Sequence, residues 1–472
     1  MAGLRVGYIV AQPETLDIIQ KITRGGMGIA LPSVYAAMAS MEDTAFKDKS
    51  RKLNKECREY VYENLDRLGF KYVPSFTSFI IFPIQMEGKS FLEKMTRVKV
   101  GMVVDSFALE TDINQLKKLP SIANATYKID LKAENTCTII YTVTENFTLI
   151  PFANVYTSSN DEFAFRVGLQ EFNLLGRNMI VGAFFQRDIF NSFGLNFRAP
   201  YLFSNKTGIA ISFNDLITQE PIFFDGGTAD YKYHNKSFEV LGLYKFNTQN
   251  NIDFGVNFFT EKYNYLTGDT NPSVPQTLDV NKMLYKLIYK YDNVNYFYQY
   301  LSGFKSTLNL QYVHSSNKNL KDFSLFFNDF NYYRRIGKRG NWANRLRIGL
   351  ASNDETPFAP FSVDNNINIR GVGNVIDRGT GTIVLNTEYR HSFIDSDKFA
   401  IQGNFFIDGG TWRHPGGGFD DFVNSDNIRV YPGLGLRFIH KRIFNAIFRI
   451  DYGYGITKYA SKGIVFGIGQ YF

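Results

Sequence analysis

The stretch Phe399–Asp408, FAIQGNFFID, alternates between two kinds of side chain at every step. Its odd-numbered residues form an apolar stripe, and its even-numbered residues include Gln, Asn and Asp. Because successive side chains of a β-strand point to opposite faces, this period of two indicates a strand with one apolar face. Asn344–Leu350 and Asn445–Tyr454 repeat the pattern, with charged residues opposite the stripe. Such charges face the lumen in a transmembrane barrel and solvent in a soluble sandwich, so alternation leaves both folds open.

Composition and length favour the barrel. The 472 residues include 45 Phe and 29 Tyr, and aromatic residues make up 16% of the chain. A barrel places such residues on its lipid-facing surface and in two interfacial girdles. The mean hydropathy of −0.20 is compatible with this fold, because lipid-facing and lumen-facing residues average out. No apolar run reaches the ~18 residues of a transmembrane helix, whereas residues 149–472 can supply about sixteen strands of roughly ten residues with their turns.

Other classes of function fit the residues poorly. The net charge is +7, but the Lys and Arg residues are scattered, which argues against a nucleic-acid partner. The five His residues are dispersed, and Cys57 and Cys137 lie in different segments, so neither a metal site nor a disulfide framework is predicted. The glycine-rich stretches do not match a phosphate-binding loop.

Residues 105–472 carry a series of motifs that occur together in one family. They are a helix at Asp112–Leu119 like the second helix of a POTRA (polypeptide-transport-associated) module, strands at 127–132 and 137–145, a hairpin at Gly168–Asn178, and a Pro-Tyr-Leu element at Arg198–Leu202. In these motifs the chain resembles the BamA-like outer-membrane assembly family, also called bacterial surface antigens. The resemblance implies a mainly β fold, with a partial POTRA module over 104–148 and a 16-stranded transmembrane antiparallel β-barrel over 149–472.

The segment Asn368–Gly373, NIRGVG, resembles the tip of the long loop that folds back into the barrel lumen in this family. An isoleucine here replaces the usual valine, and a valine replaces the usual aromatic residue. The resemblance implies that the loop arginine pairs with a carboxylate of the inner wall, because a guanidinium with little hydration needs a fork-shaped partner. A surface-loop arginine without such a partner is the alternative. The predicted loop motif and its candidate partners are Ile369, Arg370, Gly371, Asp408 and Glu388.

The final segment, Gly463–Phe472, alternates again and would form the last strand. We expect Ile464, Phe466, Ile468 and Phe472 to share one side of it. The family resemblance implies a seam between the first and last strands that opens and offers its edge to an incoming strand. Glycine weakens a strand, which suits a seam, although the same glycines would also make room for luminal packing. The seam residues predicted on this strand are Gly463, Gly467, Gly469 and Phe472.

The first hundred residues have a different character. Asp48–Leu68 has helical periodicity with Gly69 after its end, and Phe79–Phe82 is predicted as a short strand, so an α/β segment is expected. Met1–Tyr8, MAGLRVGY, and the motifs between 53 and 82 resemble the last third of a pyridoxal-phosphate-dependent aminotransferase of the histidinol-phosphate group. Residues 1–103 are therefore interpreted as a truncated small-domain fragment.

The aminotransferase resemblance implies a vestigial role for Arg5. Its counterpart in the family holds the cofactor phosphate, which is typical arginine chemistry. The Schiff-base lysine of the family lies a few residues upstream of that arginine, a position that would precede Met1. Without it no aldimine forms, so we expect no catalytic residue, no enzyme activity and no cofactor, with pyridoxal phosphate only if the fragment were completed.

Two incomplete modules thus meet near residues 100–110. Met1–Gln12 also lacks the basic start, apolar core and cleavage site of a signal peptide. The sequence therefore predicts a fused or misassembled reading frame.

The barrel is predicted to carry the function, as a factor that inserts or translocates other β-proteins at the bacterial outer membrane. Its implied partners are outer-membrane lipids, unfolded outer-membrane client proteins and accessory assembly lipoproteins. A passive pore or surface antigen is the alternative, because the single partial POTRA module weakens client capture. An aminotransferase is the minor alternative.

Overall fold

The chain divides into two compact units, Met1–Met86 and Glu87–Phe472. The sequence placed the first domain boundary at residue 103, whereas the structure places Gly88–Met95 with the second unit. Among the described residues, no helix is both long and apolar enough to cross a membrane. The computed structural model describes residues 12–16, 35, 38–40, 42–67, 69–77, 80, 88–132, 136–157, 163–187, 189–224, 227–318, 320–356, 358–363, 368–372, 377–444 and 446–472.

The described part of the first unit is dominated by helix α1, Thr44–Arg67. It contains residues 48–67 of the helix predicted at Asp48–Leu68, whose last residue lies outside the described residues, and its buried residue is Leu65. Gly69 follows with φ of +74°, a conformation that glycine adopts without penalty and that commonly ends a helix. The strand predicted at Phe79–Phe82 lies almost wholly outside the described residues.

A small α/β module precedes the barrel in the second unit. It contains α2 (Gly88–Met95), α3 (Ser106–Lys117), β1 (Ile122–Leu131) and β2 (Cys137–Glu145), and the two strands pair antiparallel. Asp105 caps α3, because its side chain accepts a hydrogen bond of 3.0 Å from the Phe107 amide. The strand predicted at 127–132 begins five residues earlier. One buried apolar cluster of the module consists of Met95, Ile113, Leu116, Leu119, Ile122 and Ala125.

Sixteen strands form one antiparallel sheet, as predicted. They are β3 (Leu149–Thr157), β4 (Phe163–Leu174), β5 (Met179–Arg187), β6 (Asn191–Ala199), β7 (Thr207–Phe224), β8 (Gly227–Lys245), β9 (Asn250–Gly268), β10 (Thr277–Phe297), β11 (Tyr300–Ser315), β12 (Phe323–Ile336), β13 (Gly340–Ala351), β16 (Gly381–Asp395), β17 (Phe399–Arg413), β18 (Arg429–His440), β19 (Ile447–Tyr454) and β20 (Lys462–Ile468). The short strands β14 (Phe361–Val363) and β15 (Asp377–Gly379) form a separate hairpin within the long connection from β13 to β16.

The order of the strands follows the sequence from β3 at one end to β20 at the other. These two end strands lie beside each other, so the barrel is nearly closed. Within the described residues, however, no ladder pairs β3 with β20. A single parallel bridge joins Phe147, just before β3, to Ile443 in the turn between β18 and β19. In the part of the chain that the structure describes, the two ends of the sheet therefore meet at a seam without the hydrogen-bond ladder that joins every other pair of neighbours.

The predicted alternation is confirmed along β17. Over the predicted stretch Phe399–Asp408 the odd-numbered residues point outward, with Phe405 51% exposed, and the even-numbered residues point into the barrel, with Asp408 fully buried. On β19, Phe448 and Ile450 are exposed, while Arg449 and Asp451 are buried. The outer face is thus apolar and the lumen polar, which is the arrangement that suits a barrel in lipid.

The end of the chain departs from the prediction. The last strand stops at Ile468, and Ile464 and Phe466 are exposed on the outer face. Gly469 then has φ of +90°, which breaks the alternation. Phe472 packs on the luminal side instead of sharing the outer side with Phe466. The prediction for Phe472 was wrong because the period of two holds only while the backbone stays extended.

Candidate functional site

The loop between β13 and β16 enters the lumen at residues 368–372. Ile369 and Val372 are buried in an apolar cluster with Trp412 and Tyr431 of the barrel wall. Gly371 has φ of +99°, and a Cβ atom on it would lie 2.7 Å from the Cα atom of Gly453. Only glycine therefore allows this close approach of loop and wall. These contacts fix the loop so that Arg370 points into a fully buried site.

Arg370 binds the carboxylate of Asp408 with three donors. Its Nε and Nη2 atoms donate hydrogen bonds of 2.8 and 2.9 Å to the two oxygens, and its backbone N–H donates a third of 2.9 Å to Oδ2. Its Nη1 donates to Glu388, and its guanidinium carbon lies 3.7 Å from the centre of the Phe406 ring. All three charged side chains have no exposed surface. This is the fork geometry that stabilises a buried guanidinium.

The register of β16 and β17 explains why two carboxylates meet one arginine. Glu388 pairs with Phe406 across the two strands, and Asp408 lies two residues further along the same face. Residues in such diagonal positions are close enough to contact one and the same side chain, which here is that of Arg370. The structure thus brings together all five predicted residues of the loop motif and its partners.

More arginines from the wall surround this pair. Glu388 also accepts hydrogen bonds from Arg390 and, at 3.4 Å, from Arg437. Arg437 donates a bond of 2.8 Å to Asp451, which also accepts one of 3.2 Å from Arg449. Removing one member of a buried, paired group leaves an uncompensated charge and costs about 3–5 kcal/mol. The cluster is therefore expected to hold the loop rigidly against strands β16 to β19.

Sequence reasoning did not single out Arg390, Arg437, Arg449 and Asp451 as members of this site. Arg449 and Asp451 were recognised only as the polar face of their strand. The available signal was the repetition of charged residues at alternate positions, which gives the face of a residue but not its partner in another strand.

A second row of ion pairs lines the opposite part of the lumen. Lys282 and Glu261 are 2.5 Å apart, Lys286 binds Glu239, and Lys290 lies 2.6 Å from Asp253. All six side chains are mostly buried. The wall of β8 to β10 thus presents matched charges to the lumen.

The predicted seam glycines lie on or just after β20. Gly467 pairs with Arg449 of β19, and a Cβ atom on it would approach the Arg449 guanidinium to 2.6 Å. This glycine therefore makes room for luminal packing, which was the alternative reading of the seam glycines. Gly463 pairs with Gly453, and Gly469 follows the end of the strand. The vestigial phosphate ligand Arg5 lies outside the described residues.

The chemistry of the site is electrostatic. Its arginines and carboxylates are engaged with one another, and among the described residues no group of three or more His, Cys, Asp or Glu could hold a metal ion. The arrangement holds a loop in place and lines a polar lumen.

Comparison by sequence gives matches for the N-terminal part of the chain. A family model for aminotransferase class I and II matches residues 1–110. Histidinol-phosphate aminotransferase of Moorella thermoacetica is 35% identical over 114 residues, which are 24% of this chain and 29% of that protein. Histidinol-phosphate aminotransferase 1 of Cupriavidus pinatubonensis is 38% identical over 81 residues, 17% of this chain and 21% of that protein. The chain therefore spans less than a third of these curated relatives, and the predicted resemblance is confirmed.

Comparison by structure concerns the rest of the chain, a nearly closed 16-stranded antiparallel barrel. CdiB from Escherichia coli matches with a TM-score of 0.53 and 12% identity, over 80% of this chain and 73% of that one. CdiB from Acinetobacter baumannii matches with a TM-score of 0.52 and 13% identity, over 80% and 71%. BamA from Haemophilus ducreyi lacking POTRA domains 1–3 matches with a TM-score of 0.49 and 15% identity, over 84% and 88%. The likeness to the CdiB chains confirms the barrel fold.

Proposed function

We propose that the barrel resides in the bacterial outer membrane and inserts or translocates other β-strand proteins there. The observation that carries this proposal is the seam. Fifteen ladders join neighbouring strands from β3 to β20, and the contact between the two end strands lacks a ladder among the described residues. Unpaired backbone donors and acceptors at a strand edge pair readily with another extended chain.

The luminal arginine cluster supports the same proposal. It ties the loop at Arg370 to β16 and β17 through Glu388 and Asp408, well inside the sheet. The wall three to four strands away from β20 is therefore held by the loop, while among the described residues no ladder bonds join β3 and β20. A barrel that opened at β3 and β20 would keep its remaining strands in place.

The small module supplies a second edge for a client. Its strand β2 pairs with β1 on one side. The module contacts β10 through Lys118, which donates a hydrogen bond of 2.8 Å to the carbonyl oxygen of Asp292. It contacts the turn between β4 and β5 through Ser121, whose hydroxyl donates a hydrogen bond of 2.8 Å to Asn178. An extended client strand added to β2 would thus be presented beside the barrel. Outer-membrane lipids, unfolded client proteins and accessory assembly lipoproteins are the partners of this proposal.

A client-folding assay tests the proposal. The purified chain is reconstituted into liposomes, and an unfolded eight-stranded barrel is added; folding is read from its heat-modifiable mobility. We expect faster folding than in empty liposomes. Equal rates would refute an insertion role.

The passive pore or surface antigen is the second candidate, and the polar row of Lys282, Lys286 and Lys290 with its acidic partners favours it, since a charged lumen suits an aqueous channel. Conductance in planar bilayers without any acceleration of client folding would support this candidate. For the first unit we propose no enzyme activity of its own and no cofactor.

A further inference from the structure

The last four residues, Gly469–Phe472, are called the tail below. The Gly469 N–H still donates to the Ile447 carbonyl oxygen of β19 at 2.8 Å, and the chain then turns into the lumen. Phe472 packs against Val294 of β10, together with Tyr333 and Ala343. In the order of the sixteen strands, β10 lies on the far side of the barrel from β20. The tail therefore crosses the lumen between two opposite parts of the wall.

The tail meets a cluster in which arginines outnumber acidic side chains. Five buried arginines face three buried Asp and Glu side chains there, so the guanidinium groups need further acceptors. The Gln470 side-chain oxygen accepts a hydrogen bond of 3.1 Å from Arg437, and a main-chain oxygen of Phe472 accepts one of 3.1 Å from Arg390. The arginines are Arg345, Arg370, Arg390, Arg437 and Arg449, and the carboxylates are Glu388, Asp408 and Asp451.

The two aromatic rings of the tail supply further stabilisation. The guanidinium carbon of Arg370 lies 4.7 Å from the centre of the Tyr471 ring, and that of Arg449 lies 4.9 Å from it. Arg345 and Arg390 lie 5.4 and 5.6 Å from the centre of the Phe472 ring. These distances are within the range of cation–π attraction, which is strongest where the cation is desolvated. Tyr471 is 8% exposed, so little water competes.

We propose that the tail is a latch that couples the seam strand β20 to the luminal loop. Its rings hold Arg370 and the neighbouring guanidiniums, and its backbone continues directly from β20. Movement of β20 away from the wall withdraws the rings, and loss of the rings loosens both the loop and β20. The proposal rests on the proposed function only in treating β20 as a seam strand.

Hydrogen exchange on the full chain in detergent micelles tests the latch. The test variant is Tyr471→Ala/Phe472→Ala, and the matched control is Tyr452→Ala/Phe448→Ala, which removes the same two residue types from the outer face of β19. We expect exchange of residues 368–372 and of β20 to rise at least tenfold in the test variant and to stay unchanged in the control. The conservative variant Tyr471→Phe keeps both rings and should exchange like the parent chain.

A leucine variant separates ring chemistry from space filling. Tyr471→Leu/Phe472→Leu keeps most of the side-chain volume and removes the π faces. We therefore expect residues 368–372 and β20 to exchange as fast in this variant as in the alanine variant. If the alanine variant does not fold, the exchange of the leucine variant tests the latch. Unchanged exchange in the alanine variant, or parent-like exchange in the leucine variant, would overturn the latch. Hydrogen exchange does not report on client folding, so either result is independent of the proposed function.

Discussion

Arg370 and Asp408 are joined by three hydrogen bonds, two from the guanidinium and one from the backbone N–H of the same residue. The carboxylate therefore fixes both the side chain and the main chain of the loop. Because neither residue is exposed, water cannot replace either partner without opening the site. This pair is the point at which the luminal loop is fastened to the barrel wall.

Loss of this pair should free the loop but leave the barrel intact. For Arg370→Ala we expect about 3–5 kcal/mol less stabilisation of the loop, because Asp408 and Glu388 lose their shared partner. Limited proteolysis of the segment 355–385 measures the effect, with heat-modifiable mobility as the check on the barrel. Arg339→Ala, at an exposed position between β12 and β13, is the control. Parent-like cleavage of the loop in Arg370→Ala would contradict the prediction.

The close approach at Gly371 can be tested by comparison with Gly416, a glycine that also has a positive φ. Gly371→Ala brings a Cβ atom within 2.7 Å of Gly453, so it adds a clash to the strain of a positive φ. Gly416→Ala has φ of +76° and nothing within 4 Å of its Cβ atom, so it carries the strain alone. The strain costs about 1–3 kcal/mol in each, and we expect a larger loss in Gly371→Ala. Equal losses of stability for Gly371→Ala and Gly416→Ala in thermal unfolding would show that the contact with Gly453 is unimportant.

The small module should lose stability at alkaline pH. Burial raises the pKa of Tyr141, and a hydrogen bond of 3.0 Å from its hydroxyl to Asp112 raises it further. The unfolded chain therefore loses this proton first, near pH 10, and the contribution of Tyr141 declines as pH rises from there towards its raised pKa. Protection factors of β1 and β2, corrected for intrinsic exchange, should fall between about pH 9 and pH 11. In the Tyr141→Phe variant this part of the pH-dependent loss of stability should be absent. An identical fall of the protection factors in that variant would contradict the prediction.

The first unit should not act as an aminotransferase. Residues 1–110 match the aminotransferase model, but the match to the Moorella enzyme covers 29% of that protein. Covalent cofactor binding requires a lysine amine in an enclosed site. We expect no visible absorbance band of a lysine-bound cofactor after adding pyridoxal phosphate to the 472-residue chain. A band that borohydride makes permanent would contradict this expectation.

The sequence predicted those features that follow from the local alternation of apolar and polar residues. Alternation placed Asp408 on the luminal face, and the loop motif pointed to Arg370. It did not predict that Arg390, Arg437 and Asp451 would join the same site, because partners in different strands depend on the register of several ladders.

The end of the chain shows a second kind of limit. Gly469 was predicted as a seam glycine within an alternating strand, whereas its positive φ ends the alternation and sends Phe472 into the lumen. Glycine adopts extended and left-handed conformations about equally well, so the residue type alone does not reveal such a turn.

A reversible tether tests most directly whether the proposed function depends on opening of the seam. In a chain with Cys57 and Cys137 replaced by Ser, Phe147→Cys/Ile443→Cys joins the segment just before β3 to the turn before β19, where the two positions already form a bridge. Phe399→Cys/His440→Cys joins residues that are paired in the β17–β18 ladder and serves as the control.

Client folding in liposomes is then measured with the tether oxidised and reduced. We expect oxidation of the 147–443 tether to slow client folding, reductant to restore it, and the 399–440 tether to have no effect. Equal client folding with the 147–443 tether oxidised and reduced would contradict a function that depends on opening the seam.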